Sequence, residues 1–255
     1  MKKNVYLTVL AIVTVICILF GSIYHIIGFG LDVFDALIMS DSDDDNSREK
    51  ISMDPVELET FTNISIDADL MDLTLETGNG YRISYRCNKK MTPEYRVESD
   101  TLYITQSPAS PLGNNNQCTV VVTVPADVLL SMVSIDLDLG DVDLDSIKTQ
   151  SLDLTARLGD VDLEHCELGS STVSANLGDV DLDDCGFTNL DVTVDMGDLY
   201  VNSSAALSDH TIEAEIDMGE LEINGNTYRN KFSQAGQNGY TVSLRSHMGD
   251  VELTW

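Results

Sequence analysis

The sequence predicts an all-β chain: a parallel β-solenoid of about six to seven coils, an antiparallel insertion near its N-terminal end, and one transmembrane helix before it. Three observations carry this reading. First, a hexapeptide, Leu139-Gly140-Asp141-Val142-Asp143-Leu144, returns at 158–163 and 177–182, and more loosely at 196–201, 218–223 and 248–253. Its glycines at 140, 159, 178 and 197 are spaced 19 residues apart, and those at 219 and 249 follow after 22 and 30. A fixed period near 20 residues marks a stacked repeat, in which no single repeat can bury its apolar face alone. Second, apolar residues alternate up to each glycine, as in Val133, Ile135, Leu137, Leu139; Leu152, Leu154, Ala156, Leu158; and Leu190, Val192, Val194, Met196. Period two over that length is a half-buried strand. Third, Phe61 to Leu75 aligns without a gap onto Phe187 to Val201, with Met71 in the glycine's place, which makes it a divergent first coil.

In chain order, residues 1–4 form a short tail that carries Lys2 and Lys3, and residues 5–31 have no formal charge apart from His25. About 20 apolar residues span a bilayer as a helix, so this run is long enough. By the positive-inside rule, which counts only Lys and Arg, Lys2 and Lys3 before it place the N-terminus in the cytoplasm and everything after residue 31 outside. The length, and the lack of a small-x-small cleavage site, favour a retained anchor over a cleaved signal peptide. Residues 32–54 read as an acidic linker, since Ser40 to Lys50 contains no apolar residue. The solenoid domain is assigned to 55–255. Within it, 76–129 interrupts the period with strand-like runs at 81–87, 94–98, 101–106 and 118–124, read as an antiparallel insertion that covers the open sheet edge.

Inside one coil the Gly-Asp pair marks a bend between two short strands, because Gly tolerates unusual dihedrals and Asp bonds nearby backbone. Ile147, Cys166 and Cys185 follow as further inward residues. At the far end, Trp255 and the longer loop 224–240 are expected to form a cap. An N-terminal anchor, a strand-rich lead-in ending in Thr123-Val124-Pro125, and L-G-D-V-D-L coils together resemble the bacterial putative-adhesin family of membrane-anchored β-solenoid domains. The resemblance covers roughly residues 55–255 and implies architecture, bringing no catalytic or binding residues with it.

The chain carries 43 acidic and 14 basic residues, a net charge of -29. Such a surface repels nucleic acid and attracts divalent cations or basic partners. Stacking makes columns of the outward acids: Asp141, Asp160, Asp179, Asp198, and beside them Asp143, Asp162, Asp181. These are the candidate Ca²⁺ ligands, since Ca²⁺ accepts six to eight oxygens in loose geometry. The competing reading is a solvated acidic face, favoured because the glycine-rich nonapeptide of Ca²⁺-binding β-rolls is missing. A candidate partner-binding patch is basic: Arg82, Arg86, Lys89, Lys90 and Arg96, all in the insertion. Cys87 and Cys118 lie in two strand-like runs, so a cross-strand disulfide is an option outside the cytoplasm, with the connectivity left open. No nucleophile elbow, phosphate loop or metalloprotease motif occurs, and every coil offers the same Asp set, so the chain reads as a non-enzyme without a cofactor unless Ca²⁺ serves as one. The expected function is a membrane-anchored, extracytoplasmic interaction or scaffold module with an unidentified protein or cell-envelope polymer partner. The alternatives are a Ca²⁺-dependent adhesin and an envelope-stress sensor.

Overall fold

The computed structural model describes residues 50–106 and 118–255. The expected tail, transmembrane run and all but the last few linker residues lie outside them. Among the described residues, no helix is long and apolar enough to cross a membrane.

The chain opens with β1 (Lys50–Glu57), β2 (Asn63–Ala68), β3 (Asp72–Gly78), β4 (Arg82–Asn88), β5 (Glu94–Glu98), β6 (Thr101–Thr105) and β7 (Cys118–Pro125). The regular part follows as β8 (Met132–Leu137), β9 (Val142–Asp145), β10 (Lys148–Leu158), β11 (Val161–Glu164), β12 (Glu167–Leu177), β13 (Val180–Met196) and β14 (Leu199–Ser203). It ends with β15 (Thr211–Ile216), β16 (Leu221–Ile223), β17 (Asn226–Tyr228), β18 (Lys231–Gln234), β19 (Thr241–Met248) and β20 (Val251–Thr254).

Each coil puts one strand in each of two facing sheets. Sheet 1 stacks β2, β8, β10, β12, the second half of β13, β19 and β15 in parallel. Sheet 2 stacks β3, β9, β11, the first half of β13, β14, β20 and β16, also in parallel. The alternation explains both: Leu152, Leu154 and Ala156 from sheet 1 meet Val161 and Leu163 from sheet 2, and all are buried. Each such Val or Leu contributes roughly 1.5–3 kcal/mol by leaving water. Between the sheets the chain turns at two places. One is the glycine, with φ between +124° and +147° at Gly140, Gly159, Gly178, Gly197, Gly219 and Gly249. The other is a left-handed residue, Ser146, His165 or Asp184, which aims Ile147, Cys166 or Cys185 into the core.

Several expectations are corrected. The coils are not stacked in sequence order, because the last one, β19 and β20, sits between β14 and the earlier pair β15 and β16. The insertion is only partly antiparallel: β6 and β7 extend the solenoid as an outer parallel coil on β2 and β3. Antiparallel β4 and β1 then cap sheet 2, and β5 caps sheet 1. Strand β1 begins at Lys50, inside the segment read as linker. Leu139, Leu158 and Met196, which the alternation places inward, are exposed, because the chain has already begun its corner there.

The first coil is where the alignment put it. Met71 can occupy the glycine's place because its backbone does not adopt the positive φ of the later corners, which are also too tight for a side chain. A Cβ on Gly140 would lie 2.0 Å from the Met71 carbonyl oxygen, and one on Gly178 would lie 2.0 Å from that of Gly159. Glycine is thus demanded at these corners by the carbonyl of the neighbouring coil. At the opposite end β17 and β18 fold back antiparallel on β16 and β15, the cap expected from loop 224–240.

Candidate functional site

The feature that repeats in every regular coil is a carboxylate pattern on sheet 2 and its glycine corner. The first column, Asp141, Asp160, Asp179 and Asp198, is part of the scaffold. Asp141 Oδ1 accepts the Asp160 amide at 2.9 Å, Asp160 Oδ1 that of Asp179 at 2.9 Å, and Asp179 Oδ1 that of Asp198 at 2.8 Å. The chain of bonds continues in spatial order, with Asp198 accepting Asp250 N–H at 2.8 Å and Asp250 accepting that of Glu220 at 2.7 Å. One oxygen of each aspartate thereby satisfies a backbone donor that the corner leaves outside the sheet ladder.

The second column, Asp143, Asp162 and Asp181, lies in direct register on the outer face of sheet 2 and runs on to Tyr200 and Glu252. Burial first, and then the neighbouring carboxylates, hold Asp162 and Asp181 above the usual aspartate range. Asp181 Oδ1 is buried without a protein hydrogen-bond partner. A third column, Asp145, Glu164 and Asp183, flanks it in the same register, and Asn202 closes it by donating to Asp183 at 2.8 Å. The columns run side by side and do not converge: among the described residues no three His, Cys, Asp or Glu side chains are grouped as metal ligands would be.

The basic residues are distributed differently. Arg82 and Arg86 share the outer face of β4, and Arg82 pairs with Glu57 at 3.5 Å. Lys89 and Lys90 lie in the 3-10 turn Lys89–Met91 that leaves β4. Arg96 is on β5, in sheet 1, where it pairs with Glu98 at 3.3 Å and stacks over the Tyr103 ring at 4.7 Å. The cap therefore divides the five between two sheets and the connecting turn.

Cys87 and Cys118 are directly opposite in β4 and β7 and are joined by a disulfide. Cys166 and Cys185 are free and buried in adjacent coils, the first thiol donating to the Glu164 carbonyl at 3.2 Å and the second to the Leu163 carbonyl at 3.1 Å. The neighbouring Cys166 thiol and then burial hold the Cys185 thiol well above its ordinary range. Two features had no clear signal in the sequence. Arg157 bridges Asp136 and Asp138 across coils, and His210 is buried with Nδ1 at 3.2 Å from Asn238 Nδ2.

The family model described as Toastrack DUF4097 matches residues 61–254. The chain belongs to this family. The Toastrack match takes in every coil and both flanking caps except β1. No curated protein matches. Among solved structures, a putative cell adhesion protein from Clostridium sporogenes is 17% identical, with 81% of this chain and 98% of that one covered and a TM-score of 0.49. A putative adhesin from Bacteroides fragilis is 14% identical, with 82% and 99% covered and a TM-score of 0.45. A putative lipid binding protein from Parabacteroides distasonis is 13% identical, with 82% and 95% covered and a TM-score of 0.29.

Proposed function

We propose that this Toastrack chain is a non-catalytic, extracytoplasmic interaction module, held at the cell membrane through residues 5–31, whose working face is sheet 2. The observation that carries the reading is the register of Asp143, Asp162 and Asp181 beside Asp145, Glu164 and Asp183. Holding like charges one strand apart opposes folding, and neighbours about 5 Å apart repel by about 1 kcal/mol in water. A cationic partner would relieve that repulsion, so the face stores a preference for one. The Cys87–Cys118 disulfide supports an oxidising location, and Lys2 and Lys3 before the apolar run support an N-terminus on the cytoplasmic side.

The test uses the full chain in intact cells. Chemical cross-linking of wild type is compared with an Asp143→Asn, Asp162→Asn, Asp181→Asn variant, alongside protease added outside the cells. The reading expects the domain to be cut from outside and a discrete cross-linked partner to be lost in the variant. Protection from external protease, or an identical cross-link pattern, would overturn it.

A second reading, Ca²⁺-dependent adhesion through Asp141, Asp143, Asp160, Asp162, Asp179, Asp181 and Asp198, draws support from the raised Asp162 and Asp181 and from the unpartnered Asp181 Oδ1. Against it stand the parallel columns and the commitment of one oxygen of Asp141, Asp160, Asp179 and Asp198 to backbone amides.

A further inference from the structure

Immediately before each corner glycine stands a large apolar side chain that the fold leaves in solvent. In spatial order these are Leu139, Leu158, Leu177, Met196, Met248 and Met218, each between 41% and 59% exposed. They are in register: Leu158 opposite Leu177, Leu177 opposite Met196, and Met196 opposite Met248. Five steps of about 4.8 Å make a ridge about 24 Å long. Scattered exposed leucines are ordinary, but a continuous apolar row rimmed by polar residues marks an interaction surface.

The surroundings select the occupant. On one side, past the glycines, runs the carboxylate column from Asp141 to Asp250 and Glu220; the other side is mixed, with Asp138 paired to Arg157, Asp195 bonded to His247, and Asn176 and Asp217 beside them. A second copy of net charge -29 is repelled by the first, and an anionic membrane is repelled likewise. Strand addition has nothing to pair with, because the ridge carbonyls are already taken. Those of Leu158, Leu177, Met196, Met248 and Met218 accept the glycine amides of the next coil at 2.9–3.1 Å, and that of Leu139 accepts the Met71 amide at 2.8 Å. A partner lying here must satisfy its own backbone, which a helix does.

We propose that the Leu139-to-Met218 ridge is the docking site for a cationic amphipathic helix of a partner protein, about 16 residues long, with its apolar stripe on the ridge and its Lys or Arg residues on the flanking carboxylates. The proposal rests on the interaction-module reading and gives that module its partner class. The apolar stripe supplies affinity, and the carboxylate column beside it fixes the helix along the ridge axis.

The test measures binding of two synthetic 16-residue Lys/Leu peptides to the detergent-solubilised full chain by fluorescence anisotropy at physiological salt. One peptide segregates its leucines on a helical face, and the other has the same composition scrambled. The proposal expects the segregated peptide to bind at least tenfold more tightly. It also expects that advantage to vanish in a Leu158→Ser, Leu177→Ser variant and in an independent Met196→Gln, Met248→Gln variant, each checked for an unchanged far-ultraviolet dichroism spectrum. Equal binding of both peptides, weakened only by Asp143→Asn, Asp162→Asn, Asp181→Asn, would overturn the ridge while leaving the acidic face as a working surface. Binding of neither peptide would also overturn the ridge, and the cross-linking result in cells would then decide the acidic face by itself.

Discussion

Replacing Gly178 by alanine should be far more damaging than the same change at Gly80, although both glycines have positive φ. Gly178 sits at φ +142°, where an added Cβ would fall 2.0 Å from the Gly159 carbonyl oxygen. Gly80 sits at φ +81° with nothing within 4 Å of that Cβ. Left-handed backbone costs alanine about 1–2 kcal/mol, partly offset by the reduced freedom of the unfolded chain. That sets the Gly80→Ala effect at roughly 1 kcal/mol. At Gly178 the dihedral cost is about 1–3 kcal/mol. The clash also has to be relieved by moving two coils apart, which stretches the Gly159 amide bond to Leu177 at 3.0 Å and the Asp179 amide bond to Asp160 at 2.9 Å. At about 1 kcal/mol for each bond the total is roughly 3–5 kcal/mol. For a domain of this size each kcal/mol is worth about 2–4 °C. Thermal unfolding followed by circular dichroism should therefore show a loss on the order of 10 °C for Gly178→Ala and a few degrees for Gly80→Ala. Equal losses would refute the claim that coil-to-coil contact, and not backbone conformation alone, keeps glycine at this corner.

Three further outcomes follow from the same structure. The Cys87–Cys118 bond closes a loop with a sequence separation of 31, so Cys87→Ser, Cys118→Ser should cost about 3–4 kcal/mol in urea unfolding. Asp162 and Asp181 have pKa values raised on folding, so the folded state holds more protons than the unfolded one between the ordinary aspartate range and the raised values. Their charge repulsion opposes folding above that window and is relieved as pH falls through it. Asp162→Asn should accordingly stabilise the protein at pH 7 by a few tenths to about 1 kcal/mol and flatten the pH dependence of the melting point in that window, an effect that high salt should shrink. The Cys185 thiol, raised by the neighbouring Cys166 thiol and by burial, should resist alkylation in the native protein and react at the ordinary rate in urea. Rapid native labelling would contradict its burial.

The coils were legible because alternation and a 19-residue period act together: each inward Val or Leu is one strand step from the next and one coil from its copy. The gap-free match of Phe61 to Leu75 located a coil that lacks the glycine. The spatial order at the C-terminal end was not legible, since every coil presents an equivalent edge and the hexapeptide around Gly219 resembles that around Gly249. Only the excursion through β17 and β18, which occupies the outer edge of β15 and β16, sends β19 and β20 to the inner side. Leu139 and Leu158 misled for a related reason: alternation reports the side on which a residue falls only while the strand stays straight, and the corner starts one residue before the glycine. The Asp141 column was readable as acidic but not as a ladder of amide acceptors, because its partners are a full coil away in sequence, or 52 residues away for Asp198 and Asp250.

The central claim, that the carboxylate columns form a face for a cationic partner and are not built ion sites, is tested most directly by calorimetric titration. The full chain in detergent at physiological salt would be titrated with Ca²⁺ and separately with Mg²⁺, beside an Asp162→Asn, Asp181→Asn variant. The account expects small, equal heats from the two cations in wild type and variant alike, as charge screening gives. Saturable Ca²⁺ binding that Mg²⁺ does not reproduce and the variant loses would contradict it and make the columns Ca²⁺ sites.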